Sequence, residues 1–140
     1  RFWRVTTTLV DTGPLVAFLS ASDQHHLCAA AAFASLKSRL MSCEAVVSEA
    51  SFILARDGHR RGVVLELVER MGIELQPLGA ELRALRQMMD RYASVPMSFA
   101  DACLVRLSEL HGASVVMTCD GDFRIYRRSN RRIVNTSMPR

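Results

Sequence analysis

Short apolar segments of strand length alternate with helical segments along this chain, and acidic residues stand near the points where they change. Residues 5–10 are rich in β-branched side chains, and residues 113–118 form a continuous apolar run. A run of that kind is typical of a central parallel strand that is buried on both faces. The pattern predicts an α/β fold, in one domain spanning residues 1–140, around a mostly parallel sheet.

Hydrophobic periodicity and helix-stop residues give the order of elements. Gly58, Gly72 and Gly112 each follow a helical segment and mark its end. Strands are predicted at 5–10, 39–43, 73–75 and 113–118, with an edge strand at 131–134. Helices are predicted at 14–20, 23–37, 44–56, 60–70 and 81–92, and from residue 98 to about residue 111.

Composition bounds the class of protein. Hydrophobic residues make up 49% of the 140 residues and charged residues 23%, which is enough for a folded core. The net charge is +4, and Lys37 is the only lysine, so arginine carries nearly all the positive charge. Arginine suits phosphate binding because its planar guanidinium donates two hydrogen bonds to one group. A coding bias toward arginine explains the excess equally well.

The cysteines and apolar runs predict where the protein works. Four cysteines lie far apart without metal-ligand spacing, and we expect small buried thiols at Cys28, Cys43, Cys103 and Cys119. No apolar run approaches the roughly 18 residues that cross a bilayer. The apolar run at 15–19 is too short for a secretory signal. These features predict a cytoplasmic protein with reduced thiols and no membrane partner.

Four acidic residues are the candidate functional groups. Asp11 and Asp120 follow the predicted strands 5–10 and 113–118, and the carboxyl ends of parallel strands form the usual ligand-binding edge of an open sheet. Glu49 shares a helical face with apolar residues and is expected to point inward, and Asp101 lies on an apolar stripe of its helix. We therefore expect the four carboxylates to converge.

Each acid also has a structural explanation. Asp11 can cap the helix that follows it, and Ser98 with Asp101 matches the capping-box pattern. Asp120 and Asp122 flank a glycine and can serve as turn residues. These explanations fit Glu49 least well.

Converging carboxylates constrain the chemistry of the site. Closely packed carboxylates raise one another's pKa values unless a cation lies between them. Ligand sets made only of oxygen favour Mg²⁺ or Mn²⁺ over zinc or copper. The sequence therefore predicts a site for a hard divalent cation.

The ordered motifs resemble those of PIN-domain ribonucleases, and in particular the small VapC-type toxins of bacterial toxin-antitoxin pairs. The resemblance covers essentially the whole chain and rests on Leu-Val-Asp-Thr-Gly-Pro-Leu at 9–15, the helical Glu49, Phe-Ala-Asp-Ala at 99–102 and Thr-Cys-Asp-Gly-Asp-Phe at 118–123. It implies a three-layer α/β/α domain. Any one motif is weak, but the ordered set is fairly specific.

The resemblance also implies roles for individual residues. Asp11, Glu49 and Asp101 match the first three acids of the family, and Asp120 matches the fourth. Asp122 is a supporting or alternative metal ligand. Thr12 and Thr118 match hydroxyl positions that line the same site. The cofactor implied is Mg²⁺ or Mn²⁺.

The implied activity is metal-dependent endoribonuclease cleavage of RNA phosphodiester bonds by the toxin of a type II pair. The implied partners are an RNA substrate, a VapB-like antitoxin and a second copy in a homodimer. Segments 52–54 and 63–68 can supply groove or dimer surfaces, although ordinary core packing is the favoured interpretation. Substrate binding is assigned to an arginine group that can equally be a solvated tail: Arg124, Arg127, Arg128, Arg131 and Arg132.

Other classes of function fit less well. A catalytically silent PIN-like module that binds RNA or protein is the main alternative, and a full set of acids weighs against it. An aspartyl-phosphate enzyme of the haloacid dehalogenase type needs a second aspartate where this chain has Gly13. A DNA nuclease with the same acids stays open, since phosphate contacts carry little information about the sugar. The four histidines are expected at surfaces or helix ends.

Overall fold

A computed structural model of the protein describes residues 7–124, 126, 136 and 137, and it places the side chains of all of these except 122, 124, 136 and 137. The predicted edge strand at 131–134 lies outside the described residues. A short strand follows it, at Thr136–Ser137.

The described strands form one five-stranded sheet in which every pair of neighbours is parallel. The strands are β1 (Thr7–Val10), β2 (Arg39–Ser42), β3 (Glu74–Leu75), β4 (Ser114–Met117) and β5 (Thr136–Ser137). Their spatial order is β3-β2-β1-β4-β5, which places β1 at the centre. Leu9 pairs with Met41 of β2 on one side and with Val116 of β4 on the other.

Among the described residues, six α-helices cover the sheet in a three-layer α/β/α arrangement, as the resemblance implied. They are α1 (Thr12–Leu19), α2 (His26–Ser35), α3 (Glu44–Arg56), α4 (Val63–Met71), α5 (Leu82–Arg91) and α6 (Phe99–Leu110). Short 3₁₀ helices lie at Gly79–Glu81 and Gly121–Arg124. Within the described residues, no helix has the length and apolarity that a membrane span requires.

The core forms where the central strands meet the helices. Leu9, Met41 and Val116, which pair across three neighbouring strands, are all completely buried. On α6, Leu104 and Val105 are also fully buried. A sheet covered on both faces explains why these strands carry apolar runs without polar alternation. It also fixes the register, since a one-residue slip turns core side chains to the opposite face.

Most predicted elements are present, with shifted ends. Helix α2 begins at His26 and not at residue 23, because the Asp23 side chain accepts a hydrogen bond from the backbone N–H of His25 in a turn before the helix. Helix α4 begins at Val63 and not at residue 60, because the residues before it form a turn closed by the hydrogen bond from Val63 N to Arg60 O. In both cases local hydrogen bonds form a turn, and the helix therefore begins later than the helix propensity of the sequence predicts.

Two predictions about packing are only half right. Cys43 and Cys103 are buried as expected, but Cys28 and Cys119 are partly exposed, and all four thiols are free. From the segments 52–54 and 63–68, the core receives Leu54, Val64, Leu67 and Val68, as favoured, whereas Phe52 stays 68% exposed and Leu65 53% exposed. A helix of this type turns only one face to its own core, so a segment defined by hydropathy alone includes outward residues.

Gly72 offers a test of the helix ends. It ends α4 with φ 65° and ψ 35°, in the left-handed region, and an added Cβ would meet nothing within 4 Å. We expect Gly72→Ala to lower the free energy of unfolding by about 1 kcal/mol through backbone strain alone. Chemical denaturation measures the change.

Gly79→Ala is the matched control. Gly79 also has open space around its Cα, but its φ is not in the left-handed region. Its substitution should change stability by less than about 0.5 kcal/mol. Equal losses in the two variants would contradict the strain explanation.

Candidate active site

Four acidic residues, which the sequence predicted to converge, line one cavity at the carboxyl-terminal edge of the sheet. Asp11 follows β1, Asp120 lies beyond the end of β4, Glu49 lies on α3 and Asp101 lies in the first turn of α6. They line a cavity of about 330 Å³. Its lining consists of Asp11, Thr12, Gly13, Glu49, Ser98, Asp101, Cys119 and Asp120.

Asp11 is held by the sheet through both its backbone and its side chain. Its N–H donates to Met117 O at 3.0 Å, which continues the pairing of β1 with β4 by one residue. The carboxylate is 5% exposed and accepts a hydrogen bond from Thr118 Oγ1 at 2.7 Å. Asp11 precedes α1, yet its side chain forms none of the usual capping bonds to that helix. Capping therefore does not explain this aspartate.

The Thr118 hydroxyl joins two of the acids. It donates to Asp11 Oδ2 and accepts the backbone N–H of Asp120 at 2.8 Å. The Thr118 side chain is completely buried, and its bond to Asp11 is shielded from water. One hydroxyl therefore fixes the Asp11 carboxylate and the turn that carries Asp120.

Glu49 is not buried, contrary to the prediction from the sequence. The buried residues of α3 are Val46, Val47, Ala50 and Leu54. Glu49 lies beside them as an exposed residue at the cavity. Its Oε2 accepts a hydrogen bond from Thr12 Oγ1 at 2.5 Å. Thr12 thus connects the first turn of α1 to α3 and holds the Glu49 carboxylate toward the other acids.

Asp101 caps α6 and also lines the cavity. It forms the predicted capping box, in which Ser98 Oγ accepts the N–H of Asp101 at 3.0 Å and Asp101 Oδ2 accepts the N–H of Ser98 at 3.1 Å. The same Oδ2 accepts a hydrogen bond from the Tyr126 hydroxyl at 3.1 Å. The structural role of Asp101 is therefore confirmed, and it does not remove the carboxylate from the cavity.

Burial and the charges of neighbouring acids raise the pKa values of Asp11 and Asp101. Burial raises the pKa of Asp11 to about 7, and the negative charges of Asp101 and Glu49 add to that effect. Hydrogen bonds from Thr118 and from the backbone of Thr12 act in the opposite direction without cancelling it. Burial also raises the pKa of Asp101, with a further contribution from the charge of Asp120. At Asp11 and Asp101, therefore, burial and the neighbouring negative charges outweigh the hydrogen bonds that stabilise the carboxylate form.

The donor chemistry of the cavity suits a hard divalent cation. All four acids offer oxygen, and a cation would supply the charge that the raised pKa of Asp11 shows to be missing. Within the part of the chain that the structure describes, no three His, Cys, Asp or Glu side chains are placed close enough to enclose an ion as they stand. The carboxylates of Asp11, Glu49 and Asp101 accept hydrogen bonds from Thr118, Thr12 and Ser98, respectively.

Two residues of the site were missed in the sequence. Tyr126 lies in a segment that the sequence assigned to a basic tail, but it is completely buried and packs edge-to-face on Phe123 and Tyr92. In the sequence, the one sign of this role was an aromatic residue standing between Arg124 and Arg127. Gly13 approaches Cys119 so closely that a Cβ at Gly13 would lie 3.0 Å from the Cβ of Cys119. A larger residue at position 13 would require Cys119 to shift by a few tenths of an ångström.

The remaining candidates are outside the cavity or outside the described residues. None of the four histidines lines the acidic cavity. The side chain of Asp122 is not described, so its competition with Asp120 for the fourth ligand position stays a prediction. The same holds for the arginine group Arg124, Arg127, Arg128, Arg131 and Arg132.

Comparisons with known proteins agree with the fold. The model of the PIN domain family matches residues 8–128. Among solved structures, the chain is similar to Mycobacterium tuberculosis VapC20, described as a sarcin-ricin loop cleaving toxin, with a TM-score of 0.73 and 24% identity. The match covers 82% of this chain and 91% of that one. At 24% identity, the match to this structure supports the fold of the chain alone. No curated protein sequence matches the chain.

The raised pKa of Asp11 predicts how metal-free stability depends on pH. The folded chain keeps a proton on Asp11 between its ordinary pKa of 3.8 and about 7, whereas the unfolded chain has lost it. The stabilisation that the protonated Asp11 carboxyl group contributes to folding is therefore fully present below pH 3.8, and it is lost as the pH rises toward 7. Asp11→Asn removes the charge, and its stability advantage over the natural chain should grow by about 2 to 3 kcal/mol between pH 5 and pH 8.

Urea denaturation in the presence of a chelator measures this difference. Asp57→Asn is the control, because Asp57 is exposed at the end of α3 and away from the cavity. An advantage of Asp11→Asn that stays constant with pH, or that matches the effect of Asp57→Asn, would contradict the assignment of an uncompensated buried carboxylate.

Proposed function

The chain belongs to the PIN domain family, and on that basis we propose that it is a divalent-metal-dependent endoribonuclease that hydrolyses RNA phosphodiester bonds. The observation that carries the proposal is the convergence of Asp11, Glu49, Asp101 and Asp120 on one cavity. Four carboxylates around one cavity repel one another, which is costly for a purely structural role. They are well suited to hold Mg²⁺ or Mn²⁺ beside a phosphate.

The acids have separate roles in this proposal. Asp11, Asp101 and Asp120 would hold the cation directly or through water, with Asp122 as the alternative for the fourth position. When bound, the cation makes water more acidic and stabilises negative charge on phosphoryl oxygens. Glu49 is either a further ligand or the group that orients the attacking water. Its exposure at the cavity and its bond to Thr12 support the second role, because water reaches it from solvent.

The hydroxyl groups act as positioning residues. Thr118 keeps the Asp11 carboxylate turned toward the cavity, and it fixes the backbone from which Asp120 projects. Thr12 holds Glu49 through its Oε2 atom. Preorganised groups of this kind stabilise the transition state without reorganising during the reaction.

The biological setting of the proposal comes from the VapC-like architecture. VapC20 is described as a toxin that cleaves the sarcin-ricin loop, and we infer an RNA substrate and a VapB-like antitoxin for this chain as well. A homodimer, a cytoplasmic location and a single PIN domain over residues 1–140 belong to the same proposal. The alternative of a catalytically silent binding module is disfavoured by the complete set of acids.

Removal of ligand charge tests the activity. Asp11→Asn and Asp101→Asn keep side-chain shape but remove negative charge from the cavity. We expect each variant to lose RNA cleavage in Mg²⁺ or Mn²⁺ by at least about 100-fold, which is the scale for removing one group that stabilises the transition state. Cleavage of a labelled single-stranded RNA on denaturing gels measures the rate, and circular dichroism shows that the variants are folded.

Asp57→Asn again serves as the control, and it should cleave at the natural rate. A DNA strand of the same sequence separates ribonuclease from deoxyribonuclease activity. Unchanged cleavage in both Asp11→Asn and Asp101→Asn, or full activity in a chelator, would show that the acids do not hold a catalytic metal.

A further inference from the structure

Tyr126 is a fully buried tyrosine whose hydroxyl group reaches one of the four acids. Its side chain has no exposed surface, and its hydroxyl donates a hydrogen bond to Asp101 Oδ2 at 3.1 Å. The two residues are 25 positions apart in the chain, so the bond joins separate parts of the fold. None of the sequence motifs that carry the acids includes Tyr126.

Aromatic neighbours hold the ring of Tyr126. It packs edge-to-face on Phe123, with ring centres 5.3 Å apart, and on Tyr92, with ring centres 5.2 Å apart. Phe123 is itself completely buried, and its N–H donates to the carbonyl oxygen of Asp120 at 3.4 Å. A phenylalanine at position 126 would make the same ring contacts. Packing therefore explains the ring of Tyr126 but not its hydroxyl group.

The aromatic contacts also reach the segment that leads into α6. Tyr92 ends α5, and its carbonyl oxygen accepts the N–H of Met97 at 3.4 Å. Met97 is buried and directly precedes Ser98, the N-cap of α6. Ser98 supplies the backbone N–H that bonds to Asp101 Oδ2. One neighbour of the Tyr126 ring is thus bonded to the segment that carries a second donor of Asp101.

The two donors meet on one oxygen of Asp101. Its Oδ2 accepts the N–H of Ser98 and the hydroxyl of Tyr126, both at 3.1 Å. The last side-chain torsion of an aspartate is soft, because its energy minima are broad. One donor leaves much of that rotation free, whereas two donors from different parts of the chain restrict it. The orientation of the Asp101 carboxylate therefore depends on Tyr126 as well as on the helix cap.

A hydrogen bond from a hydroxyl group is a feature shared by at least three of the four acids. The donors and their acceptors are Thr118 with Asp11, Thr12 with Glu49, and Tyr126 with Asp101. Groups that hydrogen-bond to metal-binding carboxylates orient them and strengthen metal binding. Tyr126 has the same relation to Asp101 as the two threonines have to their acids.

We propose that Tyr126 is a positioning residue of the metal site, and that its hydroxyl group orients the Asp101 carboxylate for binding of a divalent cation. The inference rests on the proposed function, which it deepens by naming a residue that sets the metal affinity. Tyr126 is buried and does not line the acidic cavity, so it acts through Asp101 and not on the substrate. A carboxylate that is already oriented loses less conformational freedom when the cation binds.

The test measures metal affinity in the absence of RNA, so that cleavage does not contribute. Tyr126→Phe removes the hydroxyl group and keeps the ring. Isothermal titration calorimetry with Mn²⁺ should show an affinity about 10-fold lower than that of the natural chain, the lower end of the range for loss of a group that supports a ligand. Tyr92→Phe is the matched control, because it removes a hydroxyl from the adjoining ring. It should leave the affinity within about 2-fold of the natural value.

Asp101→Asn shows whether Tyr126 acts through Asp101. The other three carboxylates of the cavity remain in this variant, so its weaker binding is measured at higher Mn²⁺ concentrations. Adding Tyr126→Phe to it should change the affinity by less than about 2-fold, because the group that Tyr126 positions is no longer a strong ligand. An equally large loss of affinity in the natural chain and in Asp101→Asn would show that Tyr126 acts by another route, and the positioning role would be wrong.

The outcomes separate this inference from the proposed function. If the natural chain and Tyr126→Phe bind Mn²⁺ equally well, the positioning role is overturned and the proposed function stands. A purely structural hydroxyl would lower the free energy of unfolding in a chelator without changing the Mn²⁺ affinity, and urea denaturation of the same variants reveals that case. A natural chain that binds no Mn²⁺ would count against the proposed function, and the inference would fail with it.

Discussion

The buried carboxylate of Asp11 is the constraint on which the rest of the site depends. Its backbone continues the pairing of β1 with β4, and its side chain is closed off from water with Thr118 as its donor. The position of the charge is therefore set by the central strands of the sheet. Burial raises the pKa of Asp11 to about 7, which means that the fold bears an electrostatic cost at this point. A bound divalent cation would remove that cost.

Asp101 and Glu49 are held by hydrogen bonds that also stabilise the fold. Asp101 caps α6 through Ser98, and Thr12 in the first turn of α1 holds Glu49 of α3. Each of these bonds joins an element needed for packing to a group that faces the cavity. The site therefore forms as a consequence of docking α1, α3 and α6 on the sheet.

Much of this could be predicted from the sequence, because strand ends and helix caps are local features. Asp11 and Asp120 were placed correctly by the strands before them, and the Ser98 capping box by its spacing. Glu49 was placed wrongly because a helical wheel gives the angle of a side chain but not the width of the buried face. Tyr126 was missed because its partner, Asp101, is 25 residues away in the chain. Contacts of that kind depend on tertiary packing.

The central claim is that the four carboxylates form a site for a divalent cation, and Mn²⁺ binding tests it most directly. Titration of the purified chain with Mn²⁺, followed by the electron paramagnetic resonance signal of the free ion, gives the stoichiometry and the affinity. We expect at least one ion to bind per chain. The combined Asp11→Asn and Asp101→Asn substitutions should weaken binding by at least about 10-fold, since loss of mere supporting groups already has that effect. Equal binding by the natural and the substituted chain, or no binding by either, would contradict the account.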